Sequence, residues 1–325
     1  MPVKSIIKYF LILTVSLASC VKYPPYELPT DQVREKKSAT AKLLTKSLAS
    51  DSISHNVQWL QSMGTRFALA GNHREVAVSI RNKFRKMGYT DARLDSFDIA
   101  GNFRSVPYTS RQYNVIAELR GSRYPDSLMI IGSHYDDFAG PGDPIAAAPG
   151  ANDNASGVAA MMEIARAMKR NDYEPLSSIH FVAFAAEELG LLGSYNYAGK
   201  MFPSGKNVKL MINNDMIANV SNSNTTTWKV NIVNYDNAVD LVEKSRSMCN
   251  LYTFISTTND NTYFKSSDSY PFYMNRYKAV FYISASEDAF YHTTGDTYDK
   301  LNFIFCTEVA KLSCALLVWS DTHEL

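Results

Sequence analysis

Five side chains of the types that bind zinc are spread along this 325-residue chain. Two are histidines and three are carboxylates, namely His134, Asp153, Glu188, Asp215 and His292. Imidazole nitrogens and carboxylate oxygens suit Zn²⁺, and one carboxylate can bridge two ions while each ion keeps a position open for water or substrate. These residue types therefore predict a metal-dependent hydrolase.

Two further carboxylates are placed where they could complete such a centre. Glu187 directly precedes Glu188, and a carboxylate beside a metal-activated water can take its proton. Asp136 lies two residues after His134, and a metal-bound imidazole commonly donates its other N–H to a carboxylate. We therefore expect Glu187 to carry a proton during catalysis and Asp136 to orient the His134 ring.

Predicted strands alternate with predicted helices over most of the chain. The predicted strands cover residues 92–100, 113–119, 128–132, 179–185, 208–212, 228–233 and 279–283. The predicted helices cover residues 31–63 with a break near 49–52, and then 72–87, 156–169, 238–249 and 307–319. This alternation implies right-handed crossovers between parallel strands. We expect an α/β fold of one domain, with a mostly parallel, twisted central sheet flanked by helices on both faces.

Such a fold would bring the candidate ligands together. Open α/β sheets bind ligands at the carboxyl ends of their strands, and His134, Glu188 and Asp215 each follow a predicted buried strand. Asp153 lies in a loop of small residues that enters a helix, and His292 ends a loop that follows another strand. Any one of these residues alone is typical of a helix cap or a structural hydrogen bond. The five together favour a metal centre.

The segments around these residues carry a specific resemblance. HYD, PGANDNASGVAAMMEIARAM, FVAFAAEELGLLGS, NNDM and YHTTGDT resemble the motifs of the bacterial secreted zinc aminopeptidases of the leucyl-aminopeptidase type. The steps between successive candidate ligands are 19, 35, 27 and 77 residues. The similarity covers residues 50–320, and the same superfamily contains glutamate carboxypeptidase II and the glutaminyl cyclases.

The resemblance implies a distribution of the ligands over two zinc ions. It implies that Asp153 bridges both ions. His134 and Asp215 would then complete one zinc site, and Glu188 and His292 would complete the other.

The resemblance also implies roles for three carboxylates that do not bind zinc. Glu187 would be the general base and then the general acid, and Asp136 would lie behind His134. Many secreted members carry a disulfide in the stretch that corresponds to residues 263–268, but this chain has no cysteine there. The family's preference for a particular N-terminal substrate residue is therefore not carried over to this chain. Asp268 resembles an aspartate that the cyclases use near the substrate, so we expect it to contact substrate, with helix capping as the alternative.

The resulting functional hypothesis is a zinc-dependent exopeptidase that hydrolyses N-terminal residues from peptides, with Glu187 as general base and acid. The main alternative is a glutaminyl-peptide cyclotransferase on the same fold. A carboxypeptidase would need a cationic pocket, for which Arg276 and Lys278 are weak candidates. A binding protein that has lost activity would be expected to lack a ligand or Glu187, and this chain retains them.

Composition and the N-terminus indicate the setting. A net charge of +1, with 46% hydrophobic residues, argues against nucleic-acid binding. Residues 1–19 are typical of a signal peptide, and they end in Leu-Ala-Ser before Cys20, which resembles a bacterial lipobox. We therefore expect an exported cell-envelope lipoprotein, held to the membrane by a lipid on Cys20 only, with residues 20–30 as tether and 31–325 as the peptidase domain. The other three cysteines, Cys249, Cys306 and Cys314, are assigned no chemistry.

Overall fold

The computed structural model describes residues 31–321, and side chains from residue 38 onward. The predicted signal peptide, Cys20 and the tether lie outside the described residues, so those predictions stay predictions.

Helices and strands alternate as the sequence indicates. The helices are α1 (Asp31–Lys46), α2 (Ser50–Gln61), α3 (His73–Lys86), α4 (Gly157–Arg170), α5 (Leu192–Met201), α6 (Val239–Tyr252), α7 (Ser269–Met274) and α8 (Phe303–Ser320). The strands are β1 (Arg93–Phe103), β2 (Val106–Leu119), β3 (Tyr124–His134), β4 (Ser177–Phe184), β5 (Asn207–Asn214), β6 (Lys229–Asn234), β7 (Ser256–Thr258) and β8 (Ala279–Ser284). The predicted break between the first two helices is confirmed.

One eight-stranded sheet has the order β1-β2-β4-β3-β5-β8-β6-β7. Its four central strands, β4, β3, β5 and β8, run parallel to one another. Strand β2 joins β4 antiparallel, and β6 joins β8 antiparallel. The carboxyl ends of the four central strands therefore meet at a single edge, and this edge carries the candidate site.

Helices cover both faces of the sheet, which confirms the predicted single-domain α/β architecture. Helices α4 and α8 pack together on one face, with α1, α2 and α6 against them, while α5 and α7 pack on the other face. Helix α8 is long and apolar enough to cross a membrane, but 78% of it is buried inside the fold. It is therefore a core helix. Cys306 and Cys314 on this helix are free and buried, as small apolar core residues are.

The elements that the sequence pattern missed are short or exposed. Strands β1 and β2 extend well beyond the predicted runs as a hairpin whose turn lies at Arg104 and Ser105, both with positive φ. Its outer part alternates between exposed and half-buried positions, so no buried face marks it in the sequence. Helices α5 and α7 and strand β7 were also not predicted. Helix α7 and strand β7 have six and three residues, too few to show a period.

Candidate metal centre and active site

The five candidate ligands converge at the carboxyl edge of the sheet, and their atoms form two groups. In the first group, His134 Nε2 lies 3.1 Å from Asp153 Oδ1 and 3.3 Å from Asp215 Oδ1. In the second, His292 Nε2 lies 3.1 Å from Asp153 Oδ2 and 3.0 Å from Glu188 Oε2. The two oxygens of Asp153 therefore face different imidazoles, as expected of a carboxylate that bridges two ions.

The parallel strands bring three of these side chains to the edge. His134 is the last residue of β3, and Asp215 follows the last residue of β5. The N–H of Asp215 donates to the carbonyl of Tyr282 on β8 at 3.1 Å, which fixes the backbone behind its carboxylate. Glu188 lies four residues beyond the end of β4. These three side chains therefore lie at or just beyond strand ends, as the sequence predicted.

The loop that carries Asp153 is held in place by a buried ion pair. Arg66 and Asp137 have no exposed side-chain surface, and their charged groups lie 3.2 Å apart. Arg66 also donates to the carbonyls of Tyr135, Pro149 and Gly150. It thus ties the residues after His134 to the residues before Asp153. Gly150 has a φ of +49°, and a Cβ there would come within 2.4 Å of Asp137, so only glycine fits.

A second carboxylate fixes the backbone of Asp153 itself. Asp296 accepts hydrogen bonds from the backbone N–H groups of Asn152, at 2.7 Å, and Asp153, at 3.0 Å. Burial raises the pKa of Asp296 to about 7, and these two hydrogen bonds oppose that rise. The side chain of Asn152 donates to Asp288 at 2.6 Å and accepts from the N–H of Ala218 at 3.0 Å. Asp153 is therefore held on a fixed loop.

Asp136 contacts His134 differently from the expected arrangement. His134 Nδ1 lies 3.1 Å from the backbone carbonyl of Asp136 but 3.8 Å from its carboxylate. The carboxylate instead accepts from the backbone N–H groups of Glu187 at 3.0 Å and Glu188 at 3.2 Å. The carbonyl therefore orients the imidazole, while the carboxylate positions the two glutamates. A sequence pattern does not distinguish these two oxygen acceptors of one residue.

The two glutamates have different surroundings. The ligand atoms of His134, Glu187 and Asp215 lie within 4.8 Å of one another, as do those of His134, Asp153 and Glu188. Glu188 is the one whose oxygen lies 3.0 Å from His292, and its other oxygen, Oε1, is buried without a hydrogen-bond partner. Burial raises the pKa of Glu187 well above its usual range. Burial, with the nearby Asp153 carboxylate, raises the pKa of Glu188 to about 8.

The imidazoles show the opposite shift because carboxylates surround them. Burial alone would lower the pKa of His134, but the charges of Asp215 and Glu187 raise it well above its usual range. Burial likewise opposes the rise at His292, whose pKa the Asp153 and Glu188 carboxylates bring to about 10. So many closely spaced carboxylates favour a bound cation, and a buried oxygen without a partner offers it a ligand. The donors present fit zinc ions.

Side chains around the ligands hold their orientation. Ser267 donates to Asp215 Oδ2 at 2.7 Å and accepts from the amide of Asn213 at 2.6 Å. The ring of Tyr291 stacks on that of His292 at 3.8 Å between centroids, and Phe138 meets the same ring edge-on at 5.0 Å. Such contacts around metal ligands commonly tune affinity.

A cavity of about 370 Å³ opens onto the candidate ligands. Besides the five ligands and Glu187, it is lined by Asn152, Met216, Tyr263, Ser266, Phe281, Ile283, Ser284, Ser286, Glu287, Asp288 and Tyr291. Asp268 is not among the lining residues. It is fully buried, and burial raises its pKa to about 7. The expected contact between Asp268 and substrate stays a prediction.

Several residues of the centre had no chemical role in the sequence prediction. Asn152 and Asp296 lie within the motifs quoted above, whereas Arg66 and Ser267 lie outside them, and nothing in the types of these four residues singled them out. Asp137, which follows Asp136 in the chain, was likewise given no role. The available signal was the resemblance itself, which extends through the segment containing Arg66.

The fold and the site together define a class, a metallohydrolase whose candidate ligands meet at the carboxyl edge of an α/β sheet. Comparison with known proteins gives the family. The family model described as "Peptidase family M28" matches residues 114–317. The chain therefore belongs to peptidase family M28. A peptidase was the expectation, and the family confirms it.

Curated relatives agree with that assignment. A "Probable zinc metalloprotease" of Pyrenophora tritici-repentis is 29% identical over 84% of this chain and 74% of its own length. "Leucine aminopeptidase 1" of Fusarium vanettenii is 26% identical over 94% of this chain and 79% of its own. The chain spans only 48% of a second Pyrenophora zinc metalloprotease, at 30% identity over 68% of this chain. At the level of the family, a zinc-dependent peptidase of the aminopeptidase type is confirmed. These relatives are fungal, so they do not test the expected bacterial origin.

Solved structures confirm the fold. The Legionella pneumophila LapA aminopeptidase superposes with a TM-score of 0.73 at 22% identity, over 94% of this chain and 78% of that one. The Fimbriiglobus ruber glutaminyl cyclase superposes with a TM-score of 0.68 at 18% identity, over 83% of this chain and 95% of that one. The fold alone therefore does not separate peptide hydrolysis from cyclisation.

Proposed function

We propose that this protein is a two-zinc aminopeptidase that removes N-terminal residues from peptides. The observation that carries the proposal is the position of Asp153. One of its carboxylate oxygens faces His134 and the other faces His292. His134, Asp215 and Asp153 would hold one ion, and His292, Glu188 and Asp153 the other. A zinc pair in such a site lowers the pKa of a water and polarises the scissile carbonyl.

The protein's own part in the chemistry falls mainly to Glu187. Glu187 lines the cavity. Its carboxylate lies within 4.8 Å of the possible metal-binding atoms of His134 and Asp215. It would take the proton of the attacking water and pass it to the leaving amine. The Asp136 carboxylate, which accepts from the backbone N–H of Glu187 at 3.0 Å, holds that segment in place.

The charge of the cavity favours an aminopeptidase over a carboxypeptidase. Among residues 38–321, no Lys or Arg lines it, whereas recognition of a substrate carboxylate calls for a cation. Lys278, a candidate for that role, precedes the first residue of β8, at the far edge of the sheet, and pairs with Asp240 at 2.9 Å. Arg276 also does not line the cavity. A free N-terminal ammonium suits the acidic cavity better.

Glutaminyl-peptide cyclisation is the second candidate, because a cyclase shares the fold. The presence of a complete second ligand group, Glu188 and His292 with Asp153, favours hydrolysis, since a second ion helps to activate water. The test is a panel of aminoacyl-arylamides and glutaminyl peptides, with the enzyme as purified, chelated, and reloaded with zinc. Zinc-dependent arylamide hydrolysis supports the proposal, and cyclisation without hydrolysis contradicts it.

We also propose that the protein is exported and anchored to a bacterial membrane through a lipid on Cys20. The support is the sequence before Cys20, which ends in small residues as lipoprotein cleavage sites do. Peptides would be its substrates, and the lipid its only membrane contact.

A further inference from the structure

The cavity combines an apolar wall with surplus negative charge. The apolar wall consists of Met216, Phe281 and Ile283, and the last two are buried residues on β8. Glu287 and Asp288, here called the acidic rim, line the same cavity just beyond the end of β8. A side chain that enters this cavity therefore meets hydrocarbon and carboxylate together.

The acidic rim is not neutralised by the proposed metals. Two zinc ions carry four positive charges, which the four carboxylates Asp153, Glu187, Glu188 and Asp215 already balance. Because the part of the chain that the structure describes contributes no Lys or Arg to the lining, the acidic rim remains as unbalanced charge. Carboxylates near a low-dielectric wall attract a cation more strongly than they do in free solvent.

The backbone of the acidic rim is fixed. The amide of Asn219 donates to the carbonyl of Glu287 at 2.7 Å, and the N–H of Ser221 donates to the hydroxyl of Ser286 at 3.1 Å. Asp288 accepts from the Asn152 amide at 2.6 Å and from the N–H of Phe290 at 2.8 Å. The carboxylate of Glu287 is exposed and has no hydrogen-bond or ionic partner among residues 38–321. It is therefore the group free to pair with a substrate.

We propose that the enzyme prefers peptides whose N-terminal residue is lysine or arginine. The aliphatic stem of such a residue would lie along the apolar wall, and its charged end would pair with Glu287. Long basic side chains commonly combine these two kinds of contact. This inference rests on the proposed aminopeptidase function and names its substrate class.

The test compares lysyl- and norleucyl-arylamides, because norleucine has the lysine side chain without its ammonium group. With zinc-loaded enzyme, kcat/KM for the lysyl substrate should exceed that for the norleucyl substrate by about 10-fold. In Glu287→Gln, this ratio should fall about 2- to 5-fold, and in Glu287→Lys it should fall further. High salt should reduce the wild-type ratio, since the pair is partly exposed.

A matched control removes a carboxylate outside the cavity. Glu243 is exposed on α6, so Glu243→Gln should leave the lysyl-to-norleucyl ratio at the wild-type value. A wild-type preference for norleucyl substrate, or an equal loss on both substrates in Glu287→Gln, would overturn the inference. The equal loss would mean that Glu287 binds the α-ammonium common to both substrates. If zinc-loaded enzyme hydrolyses no arylamide at all, the proposed function itself fails.

Discussion

At the level of single residues, the two adjacent glutamates have different proposed roles, one in proton transfer and the other in metal binding. Glu188 has an oxygen 3.0 Å from His292 Nε2, while Glu187 lies near His134 and Asp215. In an extended segment adjacent side chains diverge, so the sequence alone predicts that only one of them faces a given ion. It does not say which, and the resemblance supplied that choice.

Glu187→Gln should lower turnover by about 10²- to 10⁴-fold, because glutamine keeps the size and hydrogen bonding but cannot accept a proton. Zinc content should remain that of wild type, as measured by elemental analysis beside steady-state kinetics. Glu188→Gln is the matched variant, and it should weaken one zinc site and regain activity at high zinc. Near-wild-type turnover in Glu187→Gln would refute the proposed mechanism. Zinc loss in that variant alone would reverse the two roles.

Some positions of individual side chains and carbonyls could not be predicted from the sequence. The ligand types and their spacing predicted which side chains converge, because strand ends determine it. The pattern could not show that Asp268 is fully buried, nor that the carbonyl of Asp136 and not its carboxylate meets His134. Those details depend on where a side chain or a carbonyl points, and no period or spacing reports it.

At the scale of elements, Arg66 joins the loop after β3 to the loop before α4. It has three carbonyl partners and a charged partner in Asp137, and both side chains are fully buried. Arg66 and Asp137 both lie in loops. Loops have no strand or helix periodicity, so the sequence does not reveal the contact between them. Its importance becomes visible only in three dimensions.

Arg66→Met should destabilise the protein by about 3–5 kcal/mol, since it leaves the Asp137 carboxylate buried without its partner. Urea unfolding followed by circular dichroism measures this change. Arg246→Met, which removes an exposed arginine on α6, is the control and should change stability by less than about 0.5 kcal/mol. An equal effect of the two substitutions would show that Arg66 does not hold the loops together.

His180 links β2, β4 and α5 far from the metal centre. Its ring nitrogens lie 2.5 Å from the Tyr197 hydroxyl and 3.3 Å from the Glu118 carboxylate. Burial lowers the pKa of His180 from its usual 6.5, and the hydrogen bond to Glu118 opposes this. The folded protein therefore keeps the ring neutral at pH values where the unfolded chain takes up a proton.

The lowered pKa of His180 predicts that the free energy of unfolding falls at acid pH. The stability that His180 contributes is present above about pH 6.5 and should be lost as the pH falls through that value, because the unfolded chain then binds more protons. The free energy of unfolding, measured in urea from pH 8 to 5.5, should fall more steeply for wild type than for His180→Gln. Parallel profiles would exclude this role for His180.

At the scale of the whole molecule, the alternation of strands and helices was enough to predict one α/β domain. Continuous apolar runs are typical of strands buried on both faces, and β3, β4, β5 and β8 are such strands. The outer part of the β1–β2 hairpin and the short α7 were missed because they bury too little to leave a pattern. Sequence therefore predicts the part of the fold that carries the site better than its periphery.

The proposed anchor also concerns the whole molecule. Cys20→Ser should abolish labelling by a fatty-acid analogue and release the protein from the membrane fraction of the cell that expresses it, because no other lipid attachment is proposed. Immunoblots of membrane and soluble fractions measure this, with Cys249→Ser as the control, since Cys249 is a buried residue of α6. An unlabelled wild type in an unchanged membrane fraction would remove the anchor from the account.

A zinc titration shows whether hydrolysis of N-terminal residues depends on two bound zinc ions. Protein freed of metal by chelation is titrated with zinc while bound metal and aminoacyl-arylamide hydrolysis are measured on the same samples. Activity should be absent without zinc and should rise to its maximum as two equivalents bind. Full activity at one equivalent would contradict the two-ion site. Cyclisation of glutaminyl peptides at one equivalent, with no hydrolysis at any, would contradict the aminopeptidase itself.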